Sequence, residues 1–308
     1  MAGNSTDVIV QYNFMSNYNY CVNCQKPEDG ICPFITAEDG LSLRCSGYWS
    51  RDKLYYVDRY MNIFNKAMKQ IWKDRVFIDL FSGPGRCIIR KSEQFIDGSP
   101  ILALKQNPSF TKCIFIDLND ETINCLLKRI KSLNFPIQIK TIHGDCNNVI
   151  NNIRQEIPSN SLALTFIDPT SMQINFSSIK DLTSKIRMDL IINYPLQAIN
   201  RAYQDALNGN DDRFNAFFGN SDWKQEISNL KGLHNVAAKL LPLYKRQLES
   251  LGYLHFNSLL DPNEILVKGP RDIPLYYLFF ASKHPIAHKF WSEIKKKRPD
   301  NQLEMLFE

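Results

Sequence analysis

Phe77-Ile-Asp-Leu-Phe-Ser-Gly-Pro-Gly-Arg86 is the stretch on which the fold turns. Residues 75–81 form a short, mostly apolar run that breaks at Ser82-Gly83-Pro84-Gly85. A strand that ends in an acid and passes into a glycine-rich turn lets the backbone approach a ligand where a side chain would clash. Gly83 and Gly85 give that approach, and Asp79 stands at the end of the strand. The plainer alternative is a tight strand-to-helix turn with no ligand. A nicotinamide-type fingerprint fits poorly, because the third glycine of G-x-G-x-x-G falls on Ile88.

Outward from this turn the pattern alternates strand and helix. Upstream, the apolar residues of 52–71 recur at spacings of three and four, which predicts an amphipathic helix. Downstream, Ser99-Pro100 opens a helix, Ser suiting the cap and Pro the first turn. Strands follow at 112–118, 137–143, 161–167 and 188–193, with helices at 120–132, 147–156 and 177–185 between them. Such alternation calls for a parallel sheet with helices on both faces. The rhythm breaks over 196–232, a stretch with several aromatics and a polar turn at 208–212, which reads as a helical insertion. A helix over 235–250 comes next, then a strand at 255–259 or 264–268, an apolar strand at 274–282 and a last helix at 285–297. The last two strands are expected to pair antiparallel. The fold class is therefore α/β, with the seven-stranded order of a Rossmann-like class I methyltransferase as a resemblance of order.

Four acids stand at the carboxyl ends of consecutive strands: Asp79, Asp117, Asp145 and Asp168. Ligands of open α/β sheets bind along that rim. Asp117, about 38 residues beyond Asp79, suits two neighbouring ribose hydroxyls, because a carboxylate offers paired acceptors. Asp145 and Cys146 end the third strand and are expected to border the cofactor, the acid accepting from the adenine amino group. Each acid taken alone is also an ordinary strand-end cap. Together they point to S-adenosylmethionine, with Asp79 toward its amino-acid end and Asp168 nearest the transferred methyl.

Several further motifs accompany the turn: Trp49-Ser-Arg-Asp-Lys53, Gly98-Ser-Pro-Ile-Leu-Ala-Leu104, Phe166-Ile-Asp-Pro169 and Leu190-Ile-Ile-Asn-Tyr-Pro195. Over residues 48–290 the chain resembles the three-Cys-motif partner (TcmP) family, which has a methyltransferase-like core. The resemblance implies that Lys53 and Ser99 sit near the cofactor, and that a partner protein is encoded nearby. It implies fold and cofactor better than reaction.

Methyltransferases acting on base amino groups carry a second proline and an aromatic in the fourth motif. Here the motif is Asp168-Pro-Thr-Ser171, so both are missing. Tyr194 is the candidate to take over stacking, with a packed rim aromatic as the alternative. Cys146 lacks a Pro-Cys context and reads as a core cysteine rather than a nucleophile. Asp168 is expected to orient the acceptor, since a sulfonium is already a strong methyl donor and transfer needs alignment more than a base.

The N-terminal 47 residues form a separate Cys-bearing segment before a methyltransferase-like domain over 48–308. Cys21, Cys24, Cys32 and Cys45 contain one C-x2-C knuckle, which fits zinc, an iron–sulfur cluster or unliganded thiols. The other cysteines (Cys87, Cys113, Cys125, Cys146) are scattered among apolar residues.

The chain carries a formal net charge of +5 over 308 residues, with an acidic N-terminal stretch and the basic excess after residue 50. That balance suits a polyanionic acceptor such as nucleic acid. The basic run Lys295-Lys-Lys-Arg298 suits phosphate, or simply a helix end. With no apolar run of about 18 residues to span a membrane, and no basic-then-apolar leader in residues 1–20, a cytoplasmic protein is expected. The expected activity is methyl transfer to a nucleic acid or nucleotide-like acceptor. The alternative is a non-catalytic cofactor-binding or scaffold subunit of a partner enzyme.

Overall fold

The central strands are apolar at almost every position, so both faces of their sheet must be covered, and the intervening helices supply the cover. The computed structural model describes residues 30–90, 92, 94–230, 234–254, 264–297 and 299. In chain order the elements begin with β1 (Ile31–Thr36), β2 (Ser42–Ser46), α1 (Trp49–Met68), β3 (Asp74–Asp79), β4 (Arg86–Ile89), β5 (Phe95–Asp97) and α2 (Ser99–Leu104). Next come β6 (Lys112–Asp117), α3 (Asp120–Leu133), β7 (Gln138–His143), α4 (Ile150–Glu156), β8 (Ser161–Ile167), α5 (Phe176–Thr183) and β9 (Arg187–Tyr194). The helices α6 (Leu196–Leu207), α7 (Asp212–Phe218), α8 (Trp223–Ser228) and α9 (Val236–Ser250) precede β10 (Glu264–Lys268), β11 (Pro274–Ala281) and α10 (Pro285–Lys295).

Seven strands form one sheet in the order β10-β11-β9-β8-β3-β6-β7. Neighbours from β9 to β7 run parallel, whereas β11 runs antiparallel to both β9 and β10. This is the Rossmann-like methyltransferase arrangement expected from the sequence. The strand order reverses at β3, which pairs with β6 on one side and β8 on the other. Diverging connections open a crevice at such a switch point, outside the carboxyl ends of the strands. Asp79 lies there, in register with Phe166 of β8 and Phe115 of β6.

Alternation along each strand sends successive side chains to opposite faces. Ile78, Ile114, Ile167 and Ile192 enter the core shared with α4, α5 and α9, while Phe77, Phe115, Phe166 and Phe280 enter the core beneath α1 and α10. On α1, the residues Val57, Tyr60, Met61 and Phe64 keep helical spacing and are all buried. Burying each side chain of this size contributes roughly 2 kcal/mol.

A second, four-stranded sheet has the order β1-β2-β4-β5. The β1–β2 hairpin turns at Asp39-Gly40, with Gly40 at φ +73°. From there β2 pairs parallel with β4, Arg44 opposite Cys87 and Ser46 opposite Ile89. Chain on both sides of residue 47 therefore shares one sheet. The insertion is helical, as α6 to α8. Of the two alternatives for the penultimate strand, 264–268 forms it, while 255–259 lies outside the described residues. Among the described residues, no helix is long and apolar enough to cross a membrane.

Candidate active site

The two glycines of the central turn differ in what requires them. Gly83 takes φ +64°, and a Cβ there would meet only Arg44 Nε, at 4.0 Å. It would project into the cleft that Gly83 lines. Gly85 takes φ +84°, and its Cβ would meet Leu126 Cδ1 at 2.9 Å and Ile101 Cγ1 at 3.2 Å. Gly83 thus keeps space open to the cleft, whereas Gly85 lets α2 and α3 pack against the turn.

The turn is tied to the neighbouring strand ends. Gly83 N–H donates to Asp117 Oδ2 (2.9 Å), and Ser82 N–H donates to the Ile116 carbonyl (2.8 Å). Gly144 N–H donates to the Asp117 carbonyl (3.0 Å), which joins the end of β7 to the end of β6. Asp117 also accepts from Asn119 N–H, and Asp145 accepts from the backbone and side-chain amides of Asn147. Each carboxylate accepts at about four lone-pair sites, so both keep acceptor capacity for a ligand.

Asp79 is fully buried and accepts from Phe81 N–H (3.1 Å). Burial pushes its carboxyl up to about 7. The Ser99 hydroxyl and the Phe81 amide pull the other way, and the charges of Asp168 and Asp117 add to the rise. Asp79 does not line the cleft; it lies beneath the turn that does.

The cleft itself has a volume of about 440 Å3. Its floor is Ser82 to Gly85 with Ser99, and one wall carries Asp168, Asn193 and Lys53. Lys53 Nζ donates to Asp168 Oδ2 at 2.5 Å, with side-chain exposures of 12% and 15%. Asn193 Nδ2 donates to Asp168 Oδ1 (2.8 Å) and to the Pro169 carbonyl (3.3 Å). Asp168 is thus held from both sides, which fixes the plane of its carboxylate. Trp49, Arg44, Arg201, Gln197 and Tyr276 also line the cleft, with the Tyr276 ring 5.5 Å from Lys53 Nζ.

Arg129, on α3, is a residue that sequence reasoning missed. It is 3% exposed and spans the two sheets. Its guanidinium makes a bidentate pair with Asp39, Nε to Oδ2 at 2.7 Å and Nη2 to Oδ1 at 2.9 Å. It also donates to the carbonyls of Ser42 (2.9 Å), Leu41 (3.2 Å) and Pro84 (2.5 Å). The planar fork of Arg fits such multiple acceptance. One side chain therefore joins the β1–β2 hairpin to the glycine turn.

No protein-family model and no curated protein sequence matches the chain. Solved structures similar to it include protein LPL1258 of Legionella pneumophila, 14% identical, with 81% of this chain and 92% of that chain covered and a TM-score of 0.47. TYW2 of M. jannaschii in complex with AdoMet is 10% identical, covering 84% of this chain and 87% of that one, with a TM-score of 0.41. Magnesium protoporphyrin IX methyltransferase from Synechocystis with bound SAH is 10% identical, covering 77% and 86%, with a TM-score of 0.39. At these identities the likeness is one of fold.

One expectation requires correction. Tyr194 is not a stacking residue of the cleft. It is fully buried, its hydroxyl donates to the Ala237 carbonyl (2.9 Å), and its ring packs on Phe217 and Tyr244. The insertion helix α7 and the later helix α9 bring those rings onto the strand end, which sequence position alone did not foretell. The Cys146 side chain enters the apolar core, as its reading as a core cysteine requires, and burial there pushes its thiol up to about 12. Only its backbone is available at the rim.

Of the four N-terminal cysteines, Cys21 and Cys24 lie outside the described residues. Cys32 and Cys45 are buried in one apolar cluster with Leu43 and Ile88. Among the described residues, no group of three or more His, Cys, Asp or Glu is placed to hold a metal ion.

Proposed function

We propose that the chain is an S-adenosylmethionine-dependent methyltransferase whose acceptor is a nucleic acid or a nucleotide-like group. The observation that carries this reading is the opening of an unobstructed glycine, Gly83, onto a cleft lined by both polar and apolar groups at the switch point of the sheet. The cleft also fits the cofactor's zwitterionic end. Ser82 Oγ and Asn193 Oδ1 are buried without a hydrogen-bond partner, and both residues line the cleft. Buried polar atoms normally have partners, and a ligand bearing a carboxylate and an ammonium would supply both.

Ser82 would donate to the carboxylate, Asn193 Oδ1 would accept from the ammonium, and the Ser99 hydroxyl would stay on Asp79 beneath them. Asp79 would add negative charge from beneath the turn. Asp117 would accept from ribose hydroxyls and Asp145 from the adenine amino group. When bound, S-adenosylmethionine supplies an electrophilic methyl on its sulfonium. Asp168, clamped by Lys53 and Asn193, would align the acceptor with that methyl. Proximity and alignment can lower a barrier of this kind by about 7 kcal/mol or more. On the acceptor side, Trp49 presents a ring while Arg44 and Arg201 present guanidiniums. Those groups suit a planar base and its phosphate. The resemblance to the TcmP family, on the motifs quoted above, is consistent with this reading.

Calorimetric titration with S-adenosylmethionine and S-adenosylhomocysteine tests the proposal, with wild type beside Asp117→Ala and Gly83→Val. Micromolar binding lost in both variants is expected. Absence of binding by folded wild-type protein removes the reading in this form and favours a scaffold role.

A further inference from the structure

A second cavity lies at the opposite end of the main sheet's parallel strands, by their amino ends. Its volume is about 740 Å3, within the range of small-molecule sites. It forms where the amino ends of β8 and β9 and the carboxyl end of β11 meet the last turns of α1 and the first turns of α10. Phe64, Met68, Trp72, Met188, Ile286 and Phe290 make its walls, and their packing leaves a mostly apolar interior. The proposed methyl transfer uses none of these residues.

Charge is arranged along the cavity's depth. Its deep end is Asp189, 7% exposed, accepting from the Tyr60 hydroxyl at 2.8 Å, with Ser282 beside it. Its mouth carries Lys185, Arg187 and Lys283, all exposed. Arg187 is held over the Trp72 ring at 5.0 Å, and Lys283 over the Tyr253 ring at 5.0 Å. Stacking of this kind keeps a cation in place while it still faces solvent. Among the described residues, no exposed acid lines the cavity. An anionic head is therefore attracted to the mouth and repelled from the deep end, and an apolar chain suits the walls between.

We infer that this cavity binds an amphiphile with an aliphatic chain and an anionic head group. Chain burial supplies affinity in proportion to apolar area, and the cationic mouth sets orientation. Two sources share this chemistry, a free fatty acid and an anionic lipid headgroup at a membrane surface.

The test uses the full-length chain and dansyl-labelled undecanoic acid, whose fluorescence rises on entering an apolar site. Wild type should bind the probe, and oleate should displace it better than uncharged oleyl alcohol does. The double variant Lys185→Glu, Lys283→Glu changes only exposed side chains. It should bind oleate about tenfold more weakly while leaving its response to oleyl alcohol unchanged. Ala287→Trp, which fills the interior, should lose both ligands, with thermal unfolding confirming that each variant is folded. Flotation with phosphatidylglycerol vesicles but not phosphatidylcholine vesicles, reversed by oleate, assigns the lipid source; no flotation assigns the free acid. Several results overturn the inference: no probe binding by wild type, equal affinity of the double variant for oleate, or displacement of the probe by S-adenosylhomocysteine. A dimer that Ala287→Trp converts to monomer also overturns it, because the occupant is then a second copy of the chain.

Discussion

Replacing Asp79 with Asn removes one ionisable carboxyl from beneath the glycine turn and leaves its shape in place. Burial holds this group at about 7, against 3.8 for an ordinary Asp. A group raised in the folded state favours folding fully only below its unfolded value, and that stability is lost as pH rises through the folded one. At about 1.4 kcal/mol per pH unit, the charged carboxyl costs the fold up to about 4 kcal/mol above pH 7. Relaxation and water entry reduce this to about 2 kcal/mol. An Asn oxygen can still accept from Phe81 N–H, so that contact is retained. Asp79→Asn should therefore stabilise the ligand-free protein at about pH 8, raising the midpoint by roughly 4 °C, and the two proteins should converge near pH 4. Urea unfolding followed by tryptophan fluorescence across that range measures the difference. The same variant should bind S-adenosylmethionine more weakly, because the negative charge beneath the turn is gone. A stability difference that does not vary with pH, or a variant less stable than wild type at about pH 8, would refute the account of this carboxyl.

The remaining predictions concern the groups around it. Arg129→Met removes the join between hairpin and turn and leaves the Leu41, Ser42 and Pro84 carbonyls without that donor while water takes up the exposed Asp39, which should cost about 1–3 kcal/mol. Hydrogen exchange should show residues 42–46 losing protection first. Lys53→Met and Asp168→Asn should be coupled in a double-mutant cycle by about 1–3 kcal/mol, read from urea unfolding, because each side chain is the other's largely buried partner. Tyr194→Phe should cost about 1 kcal/mol through the lost bond to the Ala237 carbonyl and leave cofactor affinity unchanged by calorimetry. Cys146 should resist alkylation by iodoacetamide in the native protein and react only on unfolding, because the thiolate is the reactive form and burial suppresses it.

The main sheet was legible because its inner strands β3, β6, β8 and β9 are buried on both faces and read as apolar runs, each stopped by an acid or proline at the rim, whereas the edge strand β7 alternates polar and apolar residues. Ser161–Ile167 and Glu264–Lys268 are placed as expected. The small sheet was not legible as a sheet. β4 and β5 have only four and three residues, and they lie where a simple strand–turn–helix unit would place the helix. The Asp39-Gly40 pair was a hairpin signal that the cysteines around it obscured. Gly83, Lys53, Ser99 and Asp168 meet at one cleft. Tyr194 was misjudged because its surroundings come from helices 20 to 50 residues downstream, Phe217 and Tyr244 among them. Arg129 had no local signal, since a charged residue in an amphipathic helix normally faces water.

The parallel pairing of β2 with β4 bears on how the chain reaches its native state. Residues 44–46 must close a loop of about forty residues to find Cys87 to Ile89, a nonlocal contact that local helix formation cannot speed. Until that happens β4 has a bare edge, carrying Ile88 and Ile89 beside the newly formed glycine turn. Unpaired edges of this kind attract other strands. A chain begun at residue 48 would keep the entire seven-stranded sheet, yet it would expose that edge permanently and remove Arg44 and Ser46 from the cleft wall. Such a truncation should aggregate from its cleft side outward.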